Sequence, residues 1–219
     1  MQKFLPNYFL NSADKVFEYS FTEEDNVRLG SRVVVPFGKI KENGIYVDGT
    51  AGGGGHSFAI GSLLGKSGYL ICVDRDPEAI ERCSKKTASL ECKKEIIHSE
   101  FSRIPAIANE RKILIDGLLL DLGVSSFQLD EADRGFSYRF DAPLDMRMNP
   151  ESGISAYDIV NTYTAEQLNT IFFEYGEERY SRRIADAVCS ARKEKPIATT
   201  FELSAKLCFT LIKPEYLLL

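Results

Sequence analysis

The sequence predicts an α/β fold in which parallel strands alternate with helices. Apolar runs end at an acidic residue three times, at Asp48, Asp74 and Asp121. A glycine-rich loop follows the first of these runs, and segments with helical spacing of apolar residues separate them. Ligands of open parallel sheets bind at the carboxyl ends of the strands. We therefore expect three carboxylates around one ligand site.

The glycine loop begins where the first predicted strand ends. Residues 45–57 read Ile-Tyr-Val-Asp-Gly-Thr-Ala-Gly-Gly-Gly-Gly-His-Ser, with strand formers before Asp48. The glycines at 52–55 can adopt positive φ and let the backbone approach a ligand. His56 and Ser57 open a helix that we expect to continue to Leu64. A plain glycine-rich turn is the alternative interpretation.

The second strand supplies a carboxylate beside this loop. Residues 68–76 predict a buried strand, with Asp76 as the N-cap of the following helix and Pro77 in its first turn. An acid at the position of Asp74 accepts the ribose hydroxyls of an adenosine-containing cofactor. Asp48 precedes the glycines, repels a pyrophosphate and suits the cationic methionine end of S-adenosyl-L-methionine, so it is a candidate contact. A dinucleotide-dependent oxidoreductase stays the alternative.

Two further strands complete the predicted sheet. Residues 95–98 predict a short third strand, after which Phe101 either flanks an adenine or packs in the core. Residues 113–121 are nearly all apolar and predict a central strand that is buried on both faces. The long polar and aromatic connection over 122–149 has the character of a functional loop.

The composition is that of an ordinary globular protein. Of 219 residues, 44% are hydrophobic and 27% charged. No apolar run approaches the roughly 18 residues of a membrane span, and the first residues do not resemble a signal peptide, so we expect a cytoplasmic protein without a membrane partner. The five cysteines have no Cys-x-x-Cys spacing, which favours reduced thiols and no metal site. The net charge of −5 argues against non-specific DNA binding but permits a local basic patch.

Long motifs resemble the bacterial small-subunit ribosomal RNA cytosine-N4 methyltransferase family. Residues 119–130 read Leu-Leu-Asp-Leu-Gly-Val-Ser-Ser-Phe-Gln-Leu-Asp, and residues 134–137 and 143–148 read Arg-Gly-Phe-Ser and Pro-Leu-Asp-Met-Arg-Met. The glycine loop and residues 73–80 also match, and the likeness continues through Tyr-Gly-Glu-Glu-Arg-Tyr at 175–180. It covers residues 44–207.

The resemblance implies a Rossmann-like class I S-adenosylmethionine-dependent methyltransferase core, with an incomplete sheet and a helical insertion. It implies S-adenosyl-L-methionine as the cofactor, with contacts at Gly54, Gly55, His56, Asp74, Phe101, Asp121 and Gln128. The expected domains are an atypical β-rich segment at 1–44, the cofactor-binding core at 45–150, a substrate-recognition insertion at 151–208 and an atypical tail at 209–219.

The implied reaction is methyl transfer to the exocyclic amine of a cytidine in small-subunit ribosomal RNA. No cysteine is placed as the nucleophile that a C5 methyltransferase requires. The cytosine amine is a poor nucleophile and must be held in line while its protons are accepted. Asp121 is the best-placed acceptor, with Ser125 and Ser126 assisting, although Asp121 can instead serve the cofactor alone.

The insertion carries the predicted RNA contacts. Residues 156–160, 164–175 and 178–192 have helical spacing, with Thr164 as an N-cap. Positive charge concentrates on the last helix and its end, at Arg179, Arg182, Arg183, Arg192, Lys193 and Lys195. Such a cluster is either a solvated helix face or a phosphate contact, and the resemblance favours phosphate. The expected partner is small-subunit ribosomal RNA or the small ribosomal subunit.

Three departures from the family pattern qualify this interpretation. Phe127 stands where the family usually has proline. Residues 16–39 resemble the start of primosomal protein N′ instead of the family's opening. The family continues into further strands where this sequence has residues 209–219, so we expect a truncated form, and an inactive fragment that binds cofactor or RNA at most is the alternative.

Overall fold

The computed structural model describes residues 40–211, and the side chains as far as residue 207. Residues 1–39 of the predicted β-rich segment at 1–44, and residues 212–219 of the predicted tail at 209–219, lie outside the described residues. The chain divides into two compact units, one ending at Gly123 and one beginning at Val124. The predicted core of residues 45–150 therefore extends from the first unit into the second. Between residues 40 and 211, no helix has the length and apolar character needed to cross a membrane.

The first unit is built on a parallel sheet, as predicted. Its strands are β1 (Ile45–Asp48), β2 (Tyr69–Asp74), β3 (Lys93–His98) and β4 (Gly117–Leu119), in the order β3-β2-β1-β4. The connecting helices are α1 (Gly55–Ser62), α2 (Pro77–Thr87) and α3 (Ile104–Arg111). Because parallel neighbours need such crossovers, this alternation is that of a doubly wound α/β fold.

Strand β2 forms the centre of the core. Leu70, Ile71, Cys72 and Val73 are at most 1% exposed. Leu70 and Cys72 belong to one apolar cluster and Ile71 and Val73 to a second, because successive side chains of a strand point to opposite faces. Burial on both faces explains why this strand reads as a continuous apolar run.

The prediction for the fourth strand was wrong in length and place. Strand β4 has three half-buried residues. Within the part of the chain that the structure describes, it is an edge strand of the sheet. The chain before it is a connection, in which Lys112 adopts positive φ at the end of α3 and Leu114 is 90% exposed. Asp116 then accepts hydrogen bonds from the Ile45 backbone and the Lys41 side chain.

The predicted helix after the glycine loop is also shorter. Helix α1 begins at Gly55 and ends at Ser62, and Leu63 is 59% exposed. Leu64 packs into the core from the turn that follows.

The second unit is helical. Its helices are α4 (Ser126–Asp130), α5 (Ala156–Thr162), α6 (Ala165–Thr170), α7 (Ser181–Ala191) and α8 (Thr200–Leu211), and a π-helical turn (Ile171–Tyr175) continues α6. Thr164 caps α6 as predicted, since its hydroxyl accepts a hydrogen bond from the Gln167 backbone. Leu144, Leu168, Ile184 and Val188 are among the side chains of its apolar core.

Candidate cofactor site

The glycine loop folds as a tight connection between β1 and α1. Gly52 and Gly54 have φ of 51° and 78°, values that glycine adopts without steric cost. The Gly54 N–H donates to the Ala51 carbonyl at 2.8 Å. A Cβ on Gly54 would lie 3.0 Å from Cys83 Cα and from Lys86 Cβ, so this glycine is also required by the packing of α2.

Asp74 lies against this loop, as the sequence predicted. Its Oδ2 accepts a hydrogen bond from the Gly52 N–H at 2.8 Å, and its Oδ1 accepts from the Asp76 N–H at 2.9 Å. One carboxylate therefore links the glycine loop to the start of α2. Each carboxylate oxygen has a second lone pair, so Asp74 can still accept from a ligand hydroxyl.

Asp48 has a different environment from the one we expected. It is 0% exposed, and its two oxygens accept from Ser57 Oγ at 2.6 Å and from the Thr50 N–H at 3.2 Å. Burial raises the pKa of its carboxyl above the ordinary value. We therefore correct the prediction that Asp48 contacts the cofactor. Instead, Asp48 links the loop, at Thr50, to α1, at Ser57. Sequence shows where a strand ends but not how deeply its last side chain is buried.

Asp121 reaches the same edge of the sheet. Its N–H donates to Thr50 Oγ1 at 2.7 Å, and the Gly49 N–H donates to the Leu119 carbonyl at 2.9 Å. These bonds join the chain after β4 to the loop after β1. We did not predict this role of Thr50 from the sequence. The available signal was a hydroxyl side chain directly after the first glycine of the loop.

Phe101, Gly55 and His56 lie on the accessible parts of the first unit. Phe101 follows β3 and is 39% exposed, while its Cβ packs near Gly49. Gly55 and His56 are exposed at the start of α1. A Cβ added to Gly55 would meet no atom within 4 Å, so the loop is open at this position.

Gln128, Ser125 and Ser126 belong to the second unit. Gln128 is 5% exposed and forms a capping box with Ser125, in which the Ser125 N–H donates to Gln128 Oε1 at 3.0 Å. The Gln128 N–H donates in turn to Ser125 Oγ at 3.2 Å. Ser126 and Phe127 are exposed on α4. The cofactor contact of Gln128 and the assisting role of the two serines stay predictions.

The six predicted RNA contacts have different environments. Arg192 donates to the Val160 and Tyr163 carbonyls, both at 2.5 Å, so its assignment is corrected to a structural one that holds the end of α5. Arg182 pairs with Glu166 and Asp186, and Lys195 pairs with Glu202. Arg179, Arg183 and Lys193 are exposed, and the ion pairs of residues 40–211 do not include them.

The fold and the site together define an α/β protein with a glycine loop and acidic residues at the carboxyl edge of its parallel sheet. Comparison with known proteins identifies the family within this class. The model of the MraW methylase family matches residues 29–214, and the chain therefore belongs to that family.

Similar proteins agree with this assignment. One from Fusobacterium nucleatum, named ribosomal RNA small subunit methyltransferase H, is 48% identical over 81% of this chain and 55% of its own length. Proteins of the same name from Clostridium botulinum and Caldicellulosiruptor saccharolyticus are 51% and 50% identical, each over 75% of this chain and 53% of their own. The chain thus spans about half the length of the curated relatives it matches.

Proposed function

We propose that this chain binds S-adenosyl-L-methionine at the glycine loop and methylates the exocyclic N4 amine of a cytidine in small-subunit ribosomal RNA. The observation that carries the cofactor assignment is the hydrogen bond from the Gly52 N–H to Asp74, which joins the acidic tip of β2 to the open loop. Membership of a methylase family and the names of the relatives support the reaction and the substrate.

The residues of the first unit fit this cofactor. Asp74 has lone pairs left for the ribose hydroxyls, and the open space at Gly55 admits a ligand close to the backbone. Gly54, His56 and Phe101 are the further contacts, Phe101 offering a partly exposed ring to a base. When bound, S-adenosyl-L-methionine supplies the electrophilic methyl group. The family match disfavours the dinucleotide alternative.

Asp121 is the residue that we assign to the target amine. The lone pair of the cytosine amine is conjugated with the ring, so an acceptor for its protons assists its attack. The backbone of Asp121 is held by Thr50, which restrains the position of the carboxylate at the sheet edge. Ser125 and Ser126 assist in this proposal, and Asp121 also serves as a cofactor contact.

Calorimetric titration of the full chain tests the cofactor assignment. We expect saturable binding of S-adenosyl-L-methionine and no heat with nicotinamide adenine dinucleotide. Binding of the dinucleotide alone would refute the proposal. Because Asp74 also holds the loop, a melting curve must accompany any Asp74→Ala titration.

Methyl transfer tests the reaction. The chain is incubated with methyl-labelled S-adenosyl-L-methionine and small ribosomal subunits, and the RNA is digested to nucleosides for mass spectrometry. We expect N4-methylcytidine, a strong loss with Asp121→Asn, and full activity in the matched control Asp130→Asn, which changes an exposed carboxylate of α4. Label in C5-methylcytidine, or none with a cofactor-binding chain, would contradict the assignment. We also propose a cytoplasmic location, because the proposed substrate is ribosomal.

A further inference from the structure

Thr50 is hydrogen-bonded on two sides, once through its backbone and once through its side chain. Its N–H donates to Asp48 Oδ1 at 3.2 Å, and its Oγ1 accepts from the Asp121 N–H at 2.7 Å. Thr50 and Asp121 are half-buried, whereas Asp48 is completely buried. Thr50 therefore joins the backbone at Asp121 to a carboxylate that is fixed in the core.

The same carboxylate is attached to the first helix. Asp48 is the last residue of β1, and its Oδ2 accepts from Ser57 Oγ of α1 at 2.6 Å. Ser57 is 0% exposed. A continuous series of hydrogen bonds thus runs from Ser57 through Asp48 and Thr50 to Asp121. Because its first members are shielded from water, the series holds Thr50 more firmly than a bond at the surface would.

The hydroxyl of Thr50 acts where the strand pairing has ended. The parallel pairing of β1 with β4 ends at Asp48 and Leu119, two residues before Asp121. The Gly49 N–H donates to the Leu119 carbonyl at 2.9 Å, and the bond between Thr50 and Asp121 follows it along the chain. A side-chain oxygen here does what a strand carbonyl would do. Threonine suits this task, since its branched side chain has a restricted χ1.

We propose that Thr50 is a positioning residue for methyl transfer that acts through Asp121. The inference rests on the proposed function, in which the Asp121 carboxylate accepts protons of the target amine. The Thr50 hydroxyl fixes the backbone from which that carboxylate projects. A displacement of a reacting group by about 1 Å can slow a reaction by about 100-fold. Thr50 therefore contributes to kcat more than to the affinity for the cofactor.

The kinetics of methyl transfer by the full chain test this role. Thr50→Val keeps the branched shape and removes the acceptor, so we expect kcat to fall by about 10- to 100-fold. The KM for S-adenosyl-L-methionine should change much less, because Asp74 and the glycines of the loop are untouched. Thr50→Ser restores the acceptor and should recover most of kcat. The matched control is Thr87→Val, which removes a buried hydroxyl of α2 that donates to the Cys83 carbonyl and should leave kcat unchanged.

A combined variant distinguishes positioning from a general structural role. If Thr50 acts through Asp121, adding Thr50→Val to Asp121→Asn causes little further loss of kcat. A threonine that only stabilises the chain lowers kcat by the same factor in both backgrounds. Hydrogen exchange needs no variant: the Asp121 N–H of the wild-type chain should exchange slowly, and melting curves show whether each variant is folded.

Four outcomes overturn the inference. These are wild-type kcat in folded Thr50→Val, equal losses in the two backgrounds, no recovery with Thr50→Ser, and exchange of the wild-type Asp121 N–H at the rate of an unprotected amide. The failure of the proposed function has a different signature. A wild-type chain that transfers no methyl group defeats the proposed function and this inference together, whereas an active wild type with an equally active Thr50→Val defeats only the inference.

Discussion

Substitutions at two adjacent glycines, Gly54 and Gly55, should distinguish the stability of the loop from its proposed binding of S-adenosyl-L-methionine. Gly54 has φ of 78°, and a Cβ there would lie 3.0 Å from the backbone of α2 at Cys83. Alanine at positive φ costs about 1–2 kcal/mol before any steric clash. We expect Gly54→Ala to lower the melting temperature by at least about 2–8 °C for a chain of this size.

Gly55→Ala should behave in the opposite way. Position 55 is the first residue of α1, does not have positive φ, and offers open space to a Cβ. Alanine at a compatible glycine position stabilises by about 0.4–1 kcal/mol, mainly by restricting the unfolded chain. The new methyl group would, however, project into the space that we assign to S-adenosyl-L-methionine. We expect an unchanged or raised melting temperature together with a loss of affinity of at least about 10-fold, or about 1.4 kcal/mol.

The assay is a thermal melt followed by calorimetric titration on the same preparations of wild type and both variants. Gly65→Ala is the control, since its Cβ would meet only ordinary contacts at 3.5 and 3.6 Å near Glu42, away from the loop. If Gly55→Ala binds S-adenosyl-L-methionine as well as wild type does, the open space at this glycine is not the cofactor cradle. If Gly54→Ala melts at the wild-type temperature, the packing argument is refuted.

Three further predictions concern buried or paired charges. Ser57→Ala removes the hydroxyl that donates to buried Asp48 and should destabilise the chain by about 1–3 kcal/mol in urea unfolding. Hydrogen bonds from Arg111 and the Tyr69 hydroxyl lower the pKa of Glu95 to about 2, so its stabilisation is full above the unfolded pKa of about 4.3 and is lost as the pH falls towards 2. Glu95→Gln should flatten the fall in stability over that pH range, measured by urea unfolding at successive pH values. Arg192→Met leaves two carbonyls of the helical unit without their donor and should cost about 1–3 kcal/mol.

Each of these has a matched control on the surface. Ser67→Ala, Glu91→Gln and Arg183→Met change exposed residues of the same types and should alter the free energy of unfolding by less than about 0.5 kcal/mol. A variant that equals its control would contradict the contact assigned to it. For Glu95→Gln, a free energy of unfolding that changes with pH as it does in wild type would contradict the assigned contact.

Local signals in the sequence predicted the parts of the fold that depend on nearby residues. Asp76 caps α2 and Thr164 caps α6, because a cap needs only a side chain and a backbone N–H two or three residues later. The neighbourhood of Asp74 and the glycine loop was also predictable, since adjacent parallel strands end at one edge.

The features that could not be predicted depend on contacts between segments that are far apart in the sequence. The apolar run at 113–121 predicts burial on both faces, but burial depends on which segments cover a strand, and Leu114 is 90% exposed. Asp48 and Asp74 each end an apolar run, yet one is buried beneath the loop and the other lies beside it. In the sequence Arg192 resembles the cationic residues near it, whereas in the structure it donates hydrogen bonds to carbonyls at the end of α5.

The position of Asp74 has a thermodynamic consequence for ligand binding. Its two oxygens are held by N–H groups of the glycine loop and of the start of α2, so its orientation is set when the chain folds. A ligand that meets an acceptor already in place loses little free energy to ordering the site, and its affinity is higher by that amount. The same linkage runs in reverse: a ligand held by Asp74 stabilises the loop, and its binding raises the free energy of unfolding of the whole unit in proportion to the logarithm of its concentration.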